Sequence, residues 1–475
     1  MSRLIDSRTS ALGIGGEIGE RVGVRVGVGV GVGVGVAVGI IIATLGMARL
    51  AMSQDLPALP AHPISGVLPT QLLTQPIEDS TPNAPQLRRG QYLVAAGDCM
   101  SCHLREGGEP LAGGLGLKTP FGVIYSANIT SDKETGIGDW TNDQFYRAMH
   151  DGIDDEGSNL YPAFPYPWFR IVSREDDDAI LAFLKTVPAV KYTPPKNNLA
   201  FPLNFRTAVK GWNLLYLDSH EFQADAGQSP EWNRGAYLVN GLGHCGGCHT
   251  PKNALGADKP KLELHGATLD NWVAPDLTRN DRRGLGAWSI DDVTEYLRTG
   301  RNAYAGAGGA MADVITYSTS MMSDADRHAM AVYLKSQPAS SSSAHDQPDS
   351  AAMRRGAAIY SDACASCHLE DGVGQPRYFP PLGHNAMLQQ EDPTGLEHLI
   401  LAGGRIGTSQ SRPSALTMPS FAWKLNDAEI ADVSTYIRNS WGNQAAPVSV
   451  GGVRDARKKL NLDTEHLTVN SGDHD

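Results

Sequence analysis

The sequence predicts an all-α protein with extensive loops, assembled as three tandem copies of one helical plan. Three observations carry that expectation. A short string recurs as Arg89-Gly90-Gln91-Tyr92-Leu93-Val94, Arg234-Gly235-Ala236-Tyr237-Leu238-Val239 and Arg355-Gly356-Ala357-Ala358-Ile359-Tyr360, and repetition at domain-sized intervals is the mark of a duplicated unit. Each string runs into Cys-x-x-Cys-His: Cys99-Met100-Ser101-Cys102-His103, Cys245-Gly246-Gly247-Cys248-His249 and Cys364-Ala365-Ser366-Cys367-His368. Each unit then closes on a stretch with apolar residues at helical spacing, expected at Asp176–Thr186, Ser323–Lys335 and Asn426–Asn439.

In chain order, the first 53 residues read as a signal peptide or an N-terminal membrane segment. Arg3, Arg8, Arg21 and Arg25 precede an uncharged, largely Val-Gly run from Val26 to Met47, and Ala51 and Ser53 are small enough for cleavage after Ser53. The run is long enough to span a bilayer, although its glycines lower helix propensity, and a start further along the chain would also explain the repeat. Residues 54–85, rich in Pro, Thr and Gln, read as a flexible lead-in. The first unit is expected at 86–190, with a middle helix capped by Thr141 and stopped at Gly152. Residues 191–229 form an ordered strap, because they keep Phe201, Phe205, Trp212, Leu214, Leu215 and Tyr216. The second unit spans 230–338, with a middle helix from Ser289 to Gly300. A Ser-rich mobile linker at 339–350 leads to the third unit at 351–441, whose middle helix follows Thr394 and stops at Gly403-Gly404. The tail, 442–475, carries the basic amphipathic piece Val453–Leu460, suited either to a bilayer surface or to solvent.

Cys-x-x-Cys-His is the signature of covalent haem c attachment: two thiols join the vinyl groups and the His reaches the iron. The chain has six cysteines and the three motifs consume all of them. A redox dithiol would need a βαβ pattern, which is missing, and zinc would draw the sulfurs together in pairs. The cofactor-binding residues are therefore Cys99, Cys102, Cys245, Cys248, Cys364 and Cys367, with His103, His249 and His368 on the metal, and the cofactors are three haems c. Since haem is attached outside the cytoplasm, the motifs require an exported chain. A net charge of −12 with no basic stripe excludes nucleic acid as a partner. No nucleophile–base pair or nucleotide loop is present, so the chain reads as a relay with no catalytic residues of its own.

A sixth ligand is expected in the loop before each closing helix, where Met raises the reduction potential. Met418 in Thr417-Met418-Pro419 and Met311 in Gly309-Ala310-Met311-Ala312 occupy that position, Met311 ahead of its rivals Met321 and Met322. In the first unit Phe164-Pro165 stands there instead. Met149 is the preferred substitute, with His150 and a five-coordinate iron as the alternatives.

The helix–motif–loops–helix plan resembles class I cytochrome c, which makes the expected fold three tandem class I cytochrome c domains. Thr119-Pro120-Phe121-Gly122, Asn128-Ile129-Thr130, Leu160-Tyr161-Pro162-Ala163, Phe201-Pro202-Leu203-Asn204-Phe205-Arg206, Met418-Pro419-Ser420-Phe421-Ala422-Trp423 and Tyr436–Asn443 together resemble the triple-haem cytochrome c subunit of membrane-bound alcohol and aldehyde dehydrogenases of acetic acid bacteria, with gluconate and sorbitol dehydrogenase cytochrome subunits as relatives. That resemblance implies a large partner subunit holding molybdopterin or pyrroloquinoline quinone, room for a small third subunit, ubiquinone as acceptor, and a place on the periplasmic face of the cytoplasmic membrane. Ala163-Phe164-Pro165-Tyr166 resembles the aldehyde-oxidising branch. The family's usual Met in that loop is Phe164 here. This leaves two rival readings: a multihaem peroxidase or reductase using an open first haem, and a free periplasmic shuttle.

Overall fold

The computed structural model describes residues 69–218, 221–341 and 347–462; the expected export segment and the start of the lead-in lie outside them. The recurrent Arg-Gly pair is the seam of three helix crossings. Helix Ala84–Ala96 crosses Arg174–Leu184 at Gly90, where a Cβ would stand 2.0 Å from the Ala179 carbonyl oxygen. Helix Pro230–Asn240 crosses Asp324–Ser336 at Gly235 in the same way, 2.0 Å from the Ala329 oxygen. Ser350–Ala363 crosses Asp427–Ile437 at Gly356, 2.3 Å from the Asp432 oxygen. No other residue type lets two backbones approach this closely. The arginine before each glycine fixes the crossing from the side, Arg89 to Asp176 at 2.6 Å, Arg234 to Asp326 at 2.8 Å and Arg355 to Asp432 at 2.6 Å.

Local chemistry sets the helix ends. Ser173, Ser323 and Asn426 cap the closing helices with their side-chain oxygens, within two or three residues of the expected bounds. The middle helices are Asn142–Asp151, Ile290–Thr299 and Thr394–Ala402. Thr141 and Ser289 make capping boxes with Gln144 and Asp292, whereas Thr394 is the first helical residue and bonds Asp392.

The chain is mostly helical, as expected, and among the described residues three small antiparallel sheets accompany the helices. Gly116–Thr119 pairs with Gly122–Tyr125, and the strap adds Asn198–Leu199 as a third strand. Ala267–Leu269 pairs with Trp272–Ala274 around a turn at Asp270-Asn271, both left-handed, and Gly404–Arg405 pairs with Thr417–Met418. Strands of two to four residues are too short to display an alternating pattern.

One apolar core runs through the first two repeats, joining Leu93, Val94, Phe183 and Leu184 to Leu238, Val239, Met330 and Leu334. Two tyrosines are exchanged across it. The Tyr92 hydroxyl donates to Asp326 at 2.5 Å and accepts from the Ser323 amide, while the Tyr237 hydroxyl donates to Asp176 at 2.8 Å and accepts from the Ser173 amide. Each aspartate thus holds its own repeat's arginine and the other repeat's tyrosine, a pseudo-twofold arrangement. The third repeat has Ala358 at this position and its own core, with Tyr360, Leu401, Ile430, Val433 and Ile437.

Three connecting segments differ from their sequence reading. The lead-in is tied down at its end: helix Pro69–Thr74 buries Leu73, and Gln91 Nε2 donates to the Leu72 and Gln75 carbonyls. The Ser-rich linker, expected to be mobile, begins with a buried Ser340 that bonds Asp276, Thr278 and Asn280; residues 342–346 lie outside those described. The tail forms helix Val450–Lys459, whose Val453, Ala456 and Arg457 are buried on the third repeat. Its apolar side is therefore already used.

Candidate haem-attachment sites

Each Cys-x-x-Cys-His folds into one helical turn, Cys99–His103, Cys245–His249 and Ala365–His368, the last preceded by Cys364. The turn brings both thiols and the imidazole to one locality. None of the six cysteines forms a disulfide. Every motif histidine then meets the same partner. His103 Nδ1 lies 2.6 Å from the Ala127 carbonyl oxygen, His249 Nδ1 2.6 Å from that of Pro275, and His368 Nδ1 3.0 Å from that of Pro380. A carbonyl can only accept, so Nδ1 carries the proton and Nε2 presents a lone pair. This is the orientation an iron-ligating histidine requires.

The loops that supply these carbonyls explain an echo in the sequence. Ala127 and Pro275 immediately precede Asn128-Ile129-Thr130 and Asp276-Leu277-Thr278. Asn128 Oδ1 accepts from the Thr130 amide and hydroxyl, and Asp276 Oδ1 from the Thr278 amide, folding each string into the same tight turn. The third acceptor belongs to Phe379-Pro380-Pro381-Leu382, a rigid apolar loop without that string. The three carbonyls were not legible individually, but the residue before the N/D-x-T echo was the available signal.

Burial holds several of the thiols in the protonated form. Burial pushes Cys99, Cys102 and Cys245 up to about 12, with Asp98 adding to it for Cys99 and Asp98 and Cys248 for Cys102; burial takes Cys364 to about 11. A zinc site would instead need ionised sulfurs drawn together. Among the described residues no group of three or more His, Cys, Asp or Glu is placed to hold a metal ion. Burial also lowers the three histidines, keeping them neutral. The donor set fits covalently held haem.

The first two motifs are neighbours. Cys102 and Cys248 are close enough that ionising one thiol would disfavour ionising the other, and Trp168 lies on the second motif so closely that a Cβ at Gly246 would come within 2.1 Å of its ring. Phe169 meets His244 edge to face at 5.3 Å. The buried Asp98, beside Cys99, accepts from the Ser101 hydroxyl at 2.6 Å, and burial pushes it up to about 7. Neither Trp168 nor Asp98 was singled out by sequence, since an aromatic in a loop and an acid before a cysteine carry no pattern.

The sixth-ligand candidates are placed unequally. Met418 lies in the short strand Thr417–Met418 and packs against the third core. Met311, expected in a loop, stands instead in helix Ala310–Tyr317, which touches the Cys99–His103 turn and packs on the shared core. Its rival Met322 is buried. Met149 is buried in the shared core with Phe145 and Ile180, and Phe164 packs against that core, 5.6 Å from Phe169. His150 Nε2 is held 2.9 Å from Asp177 Oδ2 and its ring stacks on Tyr146, which commits one of its two ring nitrogens.

A family model for cytochrome c matches residues 353–441. The chain is 42% identical over 404 residues to the gluconate 2-dehydrogenase cytochrome c subunit of Pantoea cypripedii, covering 80% of this chain and 92% of that protein. The chain belongs to this family of dehydrogenase cytochrome c subunits. It is also 40% identical over 391 residues to the cytochrome c subunit of the quinone alcohol dehydrogenase of Gluconobacter oxydans, covering 78% and 82% of the two chains. To the fructose dehydrogenase cytochrome subunit of Gluconobacter japonicus it is 36% identical over 422 residues, covering 82% and 86%. As a cytochrome c it carries covalently attached haem, and its role is electron transfer.

Proposed function

We propose that this chain is the triple-haem electron-transfer subunit of a periplasmic, membrane-bound dehydrogenase, carrying electrons from an aldehyde- or alcohol-oxidising large subunit to ubiquinone. The observation that carries the reading is the threefold recurrence of a Cys-x-x-Cys-His turn whose histidine is fixed through Nδ1 by a backbone carbonyl. The same recurrence supports three tandem cytochrome c domains at 86–190, 230–338 and 351–441. When bound, each haem accepts and releases one electron, and everything else falls to the chain. Cys99, Cys102, Cys245, Cys248, Cys364 and Cys367 anchor the groups, while His103, His249 and His368 present Nε2. Met311 and Met418 would supply sulfur ligands, which raise the reduction potential of the iron they hold. The adjacency of Cys102 and Cys248, with Trp168 against the second motif, supports direct passage between the first two centres.

The relatives are cytochrome subunits of named dehydrogenases, which supports a large dehydrogenase partner; the resemblance further implies one of molybdopterin or pyrroloquinoline quinone type, with room for a small third subunit. Extracytoplasmic haem attachment supports export by the N-terminal segment, and the family resemblance implies a place on the periplasmic face of the cytoplasmic membrane. Among the described residues no helix is long and apolar enough to cross a membrane. The test is purification of the complex from its native membrane. Three haems per chain, a co-purifying large subunit and substrate-dependent quinone reduction are expected. Oxidation of alcohol or aldehyde by the isolated chain would refute the assignment.

A second reading, an enzyme using an open first haem, is favoured by one feature: Met149 lies in the apolar core and His150 is held by Asp177. The haem spectrum separates the two. Three low-spin centres support the relay, and a high-spin, ligand-binding centre supports the enzyme.

A further inference from the structure

The strap presents an apolar surface that the rest of the chain leaves uncovered. Helix Thr207–Tyr216 buries Val209 alone. Its inner side is pinned by polar contacts: Trp212 Nε1 donates to the Leu255 carbonyl at 3.0 Å, and Asn213 Oδ1 accepts from the Tyr166 hydroxyl at 2.5 Å. The opposite side carries Leu214 at 87% exposure and Leu215 at 70%, with Phe201 at 79% and Phe205 at 55% just before the helix. Scattered exposed apolar residues need no explanation, but two phenylalanines and a leucine pair within one short segment mark a contact surface.

Charge identifies the contact. In a chain of net charge −12, residues 179–217 contain Lys185, Lys191, Lys196, Arg206 and Lys210 and no Asp or Glu. Lys191 and Arg206 are paired with Glu134 and Asp154, whereas Lys196 and Lys210 are exposed and make no ion pair among the described residues. Tyr216, exposed at the end of the helix and in ring contact with Trp212 at 5.4 Å, is an amphipathic ring of the kind that settles at headgroup depth. Protein interfaces are depleted of lysine at their centres, while exposed leucine and phenylalanine flanked by lysine suit an anionic lipid surface. We propose that helix Thr207–Tyr216, with Phe201 and Phe205, is a peripheral docking surface for an anionic bilayer, binding parallel to its plane. The surface joins the first repeat to the loop after the second motif, so docking holds that part of the chain at the lipid boundary. This goes beyond membrane location as such, by naming the segment that touches lipid.

The test uses the full haem-loaded chain carrying Leu214→Cys and rests on the reading that haem consumes all native thiols. An environment-sensitive maleimide dye then reports from this position alone. Its emission is expected to shift to the blue with phosphatidylglycerol-containing vesicles and much less with phosphatidylcholine alone. Lys196→Gln with Lys210→Gln should weaken the response on the order of 25-fold, at about five-fold per lysine. Unchanged emission with anionic vesicles, or a shift produced only by adding the dehydrogenase large subunit, overturns the proposal. Dye uptake by the chain without the added cysteine would refute the thioether reading instead. The decision then passes to Leu214→Gln/Leu215→Gln, which must lose vesicle co-sedimentation for the proposal to stand.

Discussion

Gly235→Ala isolates the helix crossing that organises each repeat. On a solvent-exposed helix this change stabilises by about 1 kcal/mol, because alanine has the higher propensity and restricts the unfolded chain. At Gly235 the added carbon would meet the Ala329 oxygen at 2.0 Å, the Ala329 carbonyl carbon at 2.7 Å and Tyr333 Cβ at 2.8 Å. Ordinary carbon contacts need about 3.5–4.0 Å, so the helices must part by more than an ångström. Two of the three obstacles are backbone and cannot rotate away. Overpacking typically costs about 1–3 kcal/mol, and the upper half of that range, less the propensity gain, leaves a net loss of about 1–2 kcal/mol. Gly211→Ala is the matched control: it sits in helix Thr207–Tyr216 with nothing within 4 Å of the added carbon, and should gain up to about 1 kcal/mol. Denaturant unfolding of the haem-loaded protein, followed by circular dichroism, gives both midpoints. Equal midpoint shifts for the two variants would refute the account of the crossing.

Tyr92→Phe and Tyr237→Phe each remove a hydroxyl shared between an aspartate and a cap amide; each should cost about 1–2 kcal/mol in the same assay, and the double variant their sum, because the pairs have no partner in common. Glu397 is only 3% exposed with one oxygen unpartnered, and burial, with Asp392 nearby, pushes its carboxyl up to about 7 against the opposing pull of Arg438 and Lys459. A raised folded pKa means that stability from this group is full below its unfolded value and lost as pH rises through about 7. Glu397→Gln should therefore raise the unfolding midpoint at pH 8 and leave it nearly unchanged at pH 5, with an upper bound of roughly 3 kcal/mol. Met418→Leu keeps volume and should cost under about 1.5 kcal/mol, yet convert one of the low-spin haems to a high-spin form that binds carbon monoxide; an unchanged spectrum would remove Met418 as a ligand.

The parts of the fold that repeat were legible, and the parts that occur once were not. Arg-Gly, Cys-x-x-Cys-His and the N/D-x-T echo recur because each performs one mechanical task at every occurrence: a crossing, an attachment turn, a carbonyl aimed at imidazole. Thr141, Ser289 and Gly152 announced helix ends because caps are local chemistry. What escaped depends on long-range placement. Ser340 reads as linker until Asp276, Thr278 and Asn280 are folded beside it. Met311 reads as a loop residue because Gly306, Gly308 and Gly309 precede it, yet the helix starts at the next residue, Ala310. The tail helix looked suited to a bilayer or to solvent from its basic amphipathic pattern, but Arg457 is drawn into the protein by Asp427 and by the Ala422 and Leu425 carbonyls.

The two borders between repeats are built from different physics, and that difference predicts how the molecule comes apart. The first and second repeats share an apolar core and exchange tyrosines, so neither closing helix is complete without the other repeat. The third, with Ala358 where the others carry tyrosine, meets the second through a mixed border: the Gly407 amide donates to the Ala307 carbonyl at 3.0 Å, the Trp272 and His398 rings meet at 4.0 Å, and arginines cross it as well. Arg377 reaches Glu295 and Arg283 reaches Glu391, and ion pairs with such exposure contribute about 0–1 kcal/mol each and weaken with salt. Arg301 is different: it is buried, and its guanidinium donates to the Ser414 carbonyl at 2.6 Å and more weakly to that of Arg377. A buried charged donor contributes roughly 1.5–3 kcal/mol per bond and is little screened. Arg301 thus outweighs each ion pair, and the border should survive high salt, while Arg301→Met should weaken it by roughly 1.5–3 kcal/mol. The first two repeats, joined through apolar burial, should still unfold as one unit in that variant.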